Sequence, residues 1–332
     1  MNNLNVPNQK QQPDVSVAMM TYFHEKYVAQ AIESVLSQKT DYTYEIVVSD
    51  DGSTDGTRDI LKKYAEKYPN IVKIHFNSVN QGISKNNFLT RSYCQGRYIA
   101  TLSGDDYWLD ETKLQKQVDF LDTHPECPAV VTCVEGRFED SVRPFKVYPA
   151  KKYRGKYIDL PMYLNGATVG THGLMMRNMY LTEEGRNYFS LVPKASPYID
   201  DATENLLLLR LGSVYSMDIR GVAYRIARSK KGKHNYNSQN NALNNFSKIV
   251  SLYNNLEQAF DGKIDLFNLY RKDVAIAMAA ALKQMSYEKY RDIYSQIPAK
   301  YRKRFLQLRS VWLSVCVSVQ ALCRKGLSML MK

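Results

Sequence analysis

One alternation runs through the first third of this chain and limits what it can fold into. Short apolar runs rich in β-branched residues stand at Val15–Met20, Glu45–Ser49, Ile71–Phe76 and Arg97–Leu102. Between them lie stretches of helical spacing. These are Tyr27–Gln38, where Val28, Ile32, Val35 and Leu36 share a face, Thr57–Tyr68, stopped by Pro69-Asn70, and Lys85–Cys94. After Asp110 a further helix is expected over Lys113–Leu121 and a further strand over Ala129–Val134. Strands alternating with helices of this length argue for βαβ units, hence an α/β fold with a mostly parallel sheet flanked by helices. Such sheets gather their ligands beyond the carboxyl ends of the strands.

Two of those strand ends are acidic. At 46–57 the chain reads IVVSDDGSTDGT, and Asp51-Gly52-Ser53-Thr54-Asp55-Gly56 has the rhythm of a calcium loop. A helix–loop–helix calcium site starting at Asp51 would place its closing acidic ligand at Lys62, a cation, and a strand rather than a helix leads in. Calcium is excluded. The turn suits the lip of a nucleotide pocket instead. Gly52 permits the tight turn, Ser53, Thr54 or Asp55 can cap the next helix, and a carboxylate in such a crevice can accept from a nucleobase imide or a ribose hydroxyl. The second acidic end is YIATLSGDDYW at 98–108, with Asp105 and Asp106. A hard divalent cation is typically held by one or two carboxylates plus a substrate's phosphates. Two acidic ends in one sheet therefore suggest a nucleoside diphosphate with its metal.

Composition narrows the partners. The 332 residues are 44% hydrophobic and 23% charged, enough to bury a large core in an ordinary globular protein. Five scattered cysteines with no CxxC spacing argue against a disulfide framework or zinc site, and the polar start MNNLNVPNQKQQPD is no signal peptide. A reducing, cytoplasmic setting is the expectation. The net charge of +12 is not spread evenly: residues 221–332 hold 20 Lys and Arg against 6 Asp and Glu, the first 220 hold 25 against 27. A near-neutral core with acidic turns does not suit a nucleic-acid partner.

From Asn235 the texture changes. NYNSQNNALNNFS reads as a linker or loop, and Lys248–Lys332 as successive helices. The last segment, SVWLSVCVSVQALCRKGLSMLMK, is too short and interrupted to span a membrane. With YRKR at 301–304 it has the character of a basic segment lying on a membrane surface, the alternative being a helix packed on the core or on a second copy.

Four motifs in order carry a resemblance: VSVAMMTY at 15–22, EIVVSDDGSTDGT at 45–57, NQGISKNN at 80–87 and YIATLSGDDYW at 98–108. KLQKQVDFL at 113–121 continues it, and VAYR at 222–225 more loosely. Together they resemble a family 2 glycosyltransferase of GT-A fold over roughly residues 14–230. The resemblance implies a Rossmann-like GT-A domain at 14–234; outside it, a disordered 1–13 and a basic helical extension at 235–332 that meets a membrane surface or a second copy are expected from the residues themselves.

Roles carry over residue by residue. Tyr22 matches the aromatic that stacks on uracil, with Thr21 beside it. Asp51 matches the acid that reads the base, and Lys85 lies where a basic residue approaches base or diphosphate. Asp105 falls near the ribose and Asp106 on the metal. Ser103 stands where many members carry the first acid of the DxD motif, which keeps a binding-only relative open. In YIDDATENLLLLRLGSVYSMD at 198–218, counting back from Gly212 puts the family's catalytic Asp on Asp201, with Asp200 beside it and Glu204 in reserve. A carboxylate in reach can take the proton from an acceptor hydroxyl, whereas helix capping is the structural alternative for Asp200 and Asp201. Arg228 occupies the place of a family His, and with His234 is a candidate for the diphosphate. His172 is a candidate for the acceptor side.

The resulting expectation is an inverting, metal-dependent hexosyltransferase. It would move a sugar from a UDP-sugar to a hydroxyl of a saccharide or lipid-linked acceptor, with Mn²⁺ or Mg²⁺, in bacterial surface polysaccharide or lipopolysaccharide synthesis at the inner face of the cell membrane. The rival is a nucleotidyltransferase, for which TYFHEKY at 21–27 offers no glycine-rich phosphate loop.

Overall fold

The structure, a computed structural model, describes residues 12–226, 245–283 and 286–306. They fall into two compact units. One is built from the chain up to Leu160 with Ala167–Pro193 and Ile199–Ile226, the other from Pro161–Gly166, Lys194–Tyr198 and the described residues after Ile226.

The first unit begins with the expected alternation: β1 (Val15–Thr21), α1 (Val28–Leu36), β2 (Tyr44–Asp50), α2 (Thr57–Lys67), β3 (Val72–Phe76), α3 (Ile83–Ser92) and β4 (Tyr98–Ser103). The four strands pair in parallel in the order β3-β2-β1-β4. β1 and β2 are buried on both faces, which is why they read as unbroken apolar runs rather than as alternating ones. α1 buries Val28, Ala31, Ile32 and Val35, the one-sided spacing of a helix laid on a sheet. After β4 come β5 (Tyr107–Trp108), α4 (Lys113–Thr123), β6 (Ala129–Phe138), β7 (Lys146–Tyr148), β8 (Lys156–Ile158), α5 (Leu160–Leu164) and β9 (Leu174–Arg177). The chain continues through α6 (Glu183–Phe189), α7 (Leu191–Ala195), α8 (Asp201–Leu211) and β10 (Val214–Ile226). The sheet extends from β4 through β9, β6 and β10 to β5. β9 runs antiparallel between β4 and β6, so the mostly parallel sheet turns mixed on this side.

Cys94, Cys127 and Cys133 are free and buried. In the second unit the helices Phe246–Ala259, Phe267–Lys283, Tyr287–Gln296 and Ala299–Leu306 gather around aromatic residues, with Tyr270 meeting Tyr253 and Tyr301 at 5.6 and 5.4 Å. Among the described residues no helix is long and apolar enough to cross a membrane. Arg228, His234 and residues 307–332 lie outside the described residues.

Candidate active site

The register of three strands brings the acidic turns together. Thr21 at the end of β1 pairs with Asp50 at the end of β2, and Met20 pairs with Ser103 at the end of β4. The backbone stays joined one step further, with Asp51 N donating to Thr21 O and Gly104 N to Met20 O, both at 2.9 Å. Tyr22, Asp51, Asp105 and Asp106 therefore share one edge of the sheet.

Tyr22 and Phe23 project from the end of β1 as an exposed edge-to-face pair, their centroids 4.5 Å apart. Phe23 has φ +57°, a conformation an aromatic residue keeps only when held, and Ser53 Oγ holds it by accepting Phe23 N at 2.9 Å. The Thr21 hydroxyl points inward and donates to Asp50 Oδ2, so its side chain does not face a ligand.

The two acids of the first turn differ in role. Asp50 is fully buried and accepts from Thr21, Ser53 and the Arg58 guanidinium, a structural knot under the turn. Asp51 is nearly buried. Its Oδ1 accepts from Asn77 Nδ2 (2.9 Å) and Gln81 N (2.8 Å), its Oδ2 from Gly82 N (3.0 Å). The acid expected to read a base thus also ties down the NQG loop, and one acceptor direction on Oδ2 remains. Gly52, at φ +87°, could not be replaced freely, since a Cβ there would stand 3.1 Å from Asn80 N. The cap expected from Ser53, Thr54 or Asp55 takes another form. The residue flanking α2 is Gly56, and Asp55 Oδ1 accepts Thr57 N from one position further out while Ser53 is spent on Asp50 and Phe23.

The second turn is left incomplete. Asp106 is wholly buried; its Oδ1 accepts Arg225 N at 2.9 Å, and its Oδ2 has no hydrogen-bond partner. Burial, reinforced by the neighbouring Asp105 charge, pushes the Asp106 carboxyl well above the usual carboxylate range. A hard cation beside Oδ2 would supply the missing charge, so the residues present fit a divalent metal. Among the described residues no cluster of three or more His, Cys, Asp or Glu side chains is preformed for one, so substrate oxygens and water would complete its shell. Asp105 is partly exposed, its Oδ2 3.8 Å from His24 Nε2. Ser103, partly exposed, contributes a hydroxyl rather than a charge. Arg225 organises the turn: it donates to Asp105 O and to Gln30, and its guanidinium stacks on Tyr27 and Tyr107 at 5.0 and 4.6 Å.

His172, expected on the acceptor side, stands with Nε2 3.9 Å from Asp106 Oδ2 and its ring edge-on to Tyr224. Burial lowers its pKa, against the charges of Asp105 and Asp200.

The third acidic element opens α8. Asp200 is its N-cap: Oδ1 accepts Asp201 N at 2.9 Å while Oδ2 accepts Asn87 Nδ2 of α3. Capping thus falls to Asp200, whereas Asp201 is exposed at the first turn. Glu204 is no reserve base, because it is buried in an ion pair with Arg91. Asn87–Asp200 and Arg91–Glu204 repeat at four-residue spacing on both helices, so two polar rungs fix α8 on α3. Lys85, exposed on the first turns of α3, stands on the same helix.

Residues 16–183, just over half of the chain, match the sequence profile of glycosyl transferase family 2. The chain belongs to that family. It is 35% identical over 175 residues to the putative glycosyltransferase EpsE of Bacillus subtilis, covering 52% of this chain and 60% of that one. Over 109 residues it is 35% identical to WfaP of Escherichia coli, named a UDP-Glc:α-D-GlcNAc-diphosphoundecaprenol β-1,3-glucosyltransferase, covering 33% and 41%. The chain spans about half the length of the curated relatives it matches. Two similar solved structures are residues 1–349 of Staphylococcus aureus TarS with UDP-GlcNAc (TM-score 0.52, 15% identity, 88% of this chain and 78% of that one) and the mannosyltransferase PcManGT of Pyrobaculum calidifontis with GDP-Man and Mn²⁺ (TM-score 0.52, 16%, 94% and 81%). At that identity they show the fold, and it is the GT-A fold that the four motifs imply. Within this family 2 chain, motif reading passes over Arg91 and gives no role to Arg225, the last residue of VAYR. Arg91 acts through a partner distant in sequence, and Arg225 in part through a backbone N–H, which no residue type advertises.

Proposed function

We propose that this chain is an inverting, metal-dependent glycosyltransferase that moves a hexosyl group from a UDP-sugar to a hydroxyl of a saccharide or lipid-linked acceptor. The observation that carries the reading is Asp106: a fully buried carboxylate with one oxygen unpartnered, on the same sheet edge as Tyr22 and Asp51. Tyr22 and the last acceptor direction of Asp51 take the uracil, Asp105 the ribose, and Lys85 approaches base or diphosphate. Asp106 holds Mn²⁺ or Mg²⁺, which when bound would serve as a Lewis acid for the departing diphosphate. Asp201, solvent-facing while Asp200 caps its helix, accepts the proton of the acceptor hydroxyl as the glycosidic bond forms. Arg228 and His234 follow β10 in sequence and would neutralise the leaving group.

Residues 14–234 form the catalytic part in this reading. The basic 235–332 segment holds it at an anionic membrane face, or against a second copy. The diphosphoundecaprenol in the name of WfaP, and the UDP-GlcNAc and Mn²⁺ in the titles of the two solved structures, support a nucleotide-sugar donor, a metal and a lipid-linked acceptor in bacterial surface polysaccharide synthesis. Thermal melts and hydrolysis assays with UDP-, GDP- and dTDP-sugars, each with and without Mn²⁺, test it. UDP-sugars with Mn²⁺ should give the largest stabilisation and release UDP; no response to any nucleotide sugar removes the reading.

A further inference from the structure

We infer that His172 is a ligand of the divalent cation, joining Asp106 from the opposite side of the site. The inference deepens the donor-binding reading above and rests on it. Asp106 Oδ1 is held by Arg225 N, which turns the buried and unpartnered Oδ2 towards His172 Nε2, 3.9 Å away. That gap is too long for a hydrogen bond. It lies within the span open to two donors on one cation: with metal–ligand distances of roughly 2.0–2.2 Å, ligands lie about 3 Å apart at a right angle and about 4.0–4.4 Å apart when opposite.

The imidazole is also held in place, as a ligand must be. On one side Thr101 Oγ1 donates to Thr171 O. On the other, Gln117 Nε2 donates to Gly173 O at 3.0 Å, and a Cβ on Gly173 would stand 2.6 Å from Thr132 Oγ1, so that residue is pressed against β6. Tyr224 of β10 meets the ring edge-on at 4.6 Å. His24, the other imidazole near the turn, is directed at the partly exposed Asp105 and not at the orphaned oxygen. One imidazole and one carboxylate leave most of the coordination shell to the diphosphate and water, as expected of a cation that arrives with a nucleotide.

The test is pulsed electron paramagnetic resonance on the full chain with Mn²⁺ and UDP, reading hyperfine coupling from a bound ¹⁴N. Wild type should show the coupling. His172→Gln should lose it and weaken Mn²⁺ binding in the UDP complex at least about tenfold, while His24→Gln and His234→Gln keep it. His172→Glu supplies a carboxylate ligand in its place; it should retain Mn²⁺ without the nitrogen signal and narrow the preference for Mn²⁺ over Mg²⁺, which a packing role would not do. A nitrogen signal that persists in either His172 variant overturns the assignment, and so does one lost in His24→Gln or His234→Gln instead. A wild-type Mn²⁺–UDP complex with no nitrogen coupling overturns His172 alone. Failure to form any such complex removes the donor reading with it.

Discussion

The two acidic turns on this sheet edge have nearly the same grammar, a buried strand ending in paired aspartates, yet the fold treats them in opposite ways. At Asp50–Asp51 both carboxylates are held by protein donors, Thr21, Ser53 and Arg58 on one and Asn77, Gln81 and Gly82 on the other, with one acceptor direction left on Asp51. At Asp105–Asp106 a wholly buried oxygen has no hydrogen-bond partner. A buried carboxylate with donors on both oxygens is anchored as scaffold, even where, as at Asp51, one acceptor direction is left for a ligand. One left short of a partner raises the free energy of the empty protein and persists where a ligand repays the difference. Sequence alone cannot separate these cases, because the distinction lies in which donors the rest of the chain brings up.

The sharpest way to break the comparison is Asp106→Asn. It should abolish Mn²⁺-dependent UDP binding by calorimetry while leaving the unliganded melting temperature equal or higher, since it removes an uncompensated buried acid and keeps an oxygen for Arg225 N. Unchanged metal-dependent binding would take Asp106 out of the site. Next in size is Asp201→Asn, which should lower transfer by roughly 10²–10⁴-fold, the range for a general base, with UDP and Mn²⁺ affinity unchanged. Near wild-type turnover would discard Asp201. Asp50→Ala is the counterpart on the first turn. It leaves Arg58, Ser53 and Thr21 without their acceptor, and denaturant melts should show a loss of about 3–5 kcal/mol, the range for breaking a buried ion pair. If Asp50→Ala proved no less stable than Asp106→Asn, the division into scaffold turn and ligand turn would collapse.

Much of this fold could be read ahead because β1, β2 and β4 are buried on two faces and appear as apolar runs, while helices with a one-sided pattern lie between the strands. The placement of Tyr22, Asp51 and Asp106 on one sheet edge was legible for a related reason: they sit where such strands end. What stayed hidden is non-local. β9 is four residues, LMMR, with nothing to mark it as an antiparallel insert between β4 and β6. Glu204 has the residue type and helix position of a base, and only its burial against Arg91, from another helix, shows that it is not one. His172 was visible as a lone histidine on the expected acceptor side, with nothing to tie it to Asp106. Its proximity to Asp106 depends on a chain reversal through β9 that no spacing reveals.

Lys113 sharpens the comparison at its weakest effect, because it too is a buried charge near the second turn, with no ligand to explain it. Its Nζ lies 4.1 Å from the Trp108 ring centroid and donates to Gln117, with no exposed surface. Burial pulls its pKa down to about 7, against a smaller opposing pull from Asp110. In the unfolded chain the amine returns to roughly 10.4. Between those values the unfolded state holds a proton that the native state has released, so this group makes stability rise as pH climbs through the window. Lys113→Met abolishes that dependence. Relative to wild type the variant should therefore be most favoured at or below pH 7, with the advantage shrinking towards pH 10, as read from denaturant midpoints across the range. A difference that stays flat with pH would mean that Lys113 remains charged in the fold.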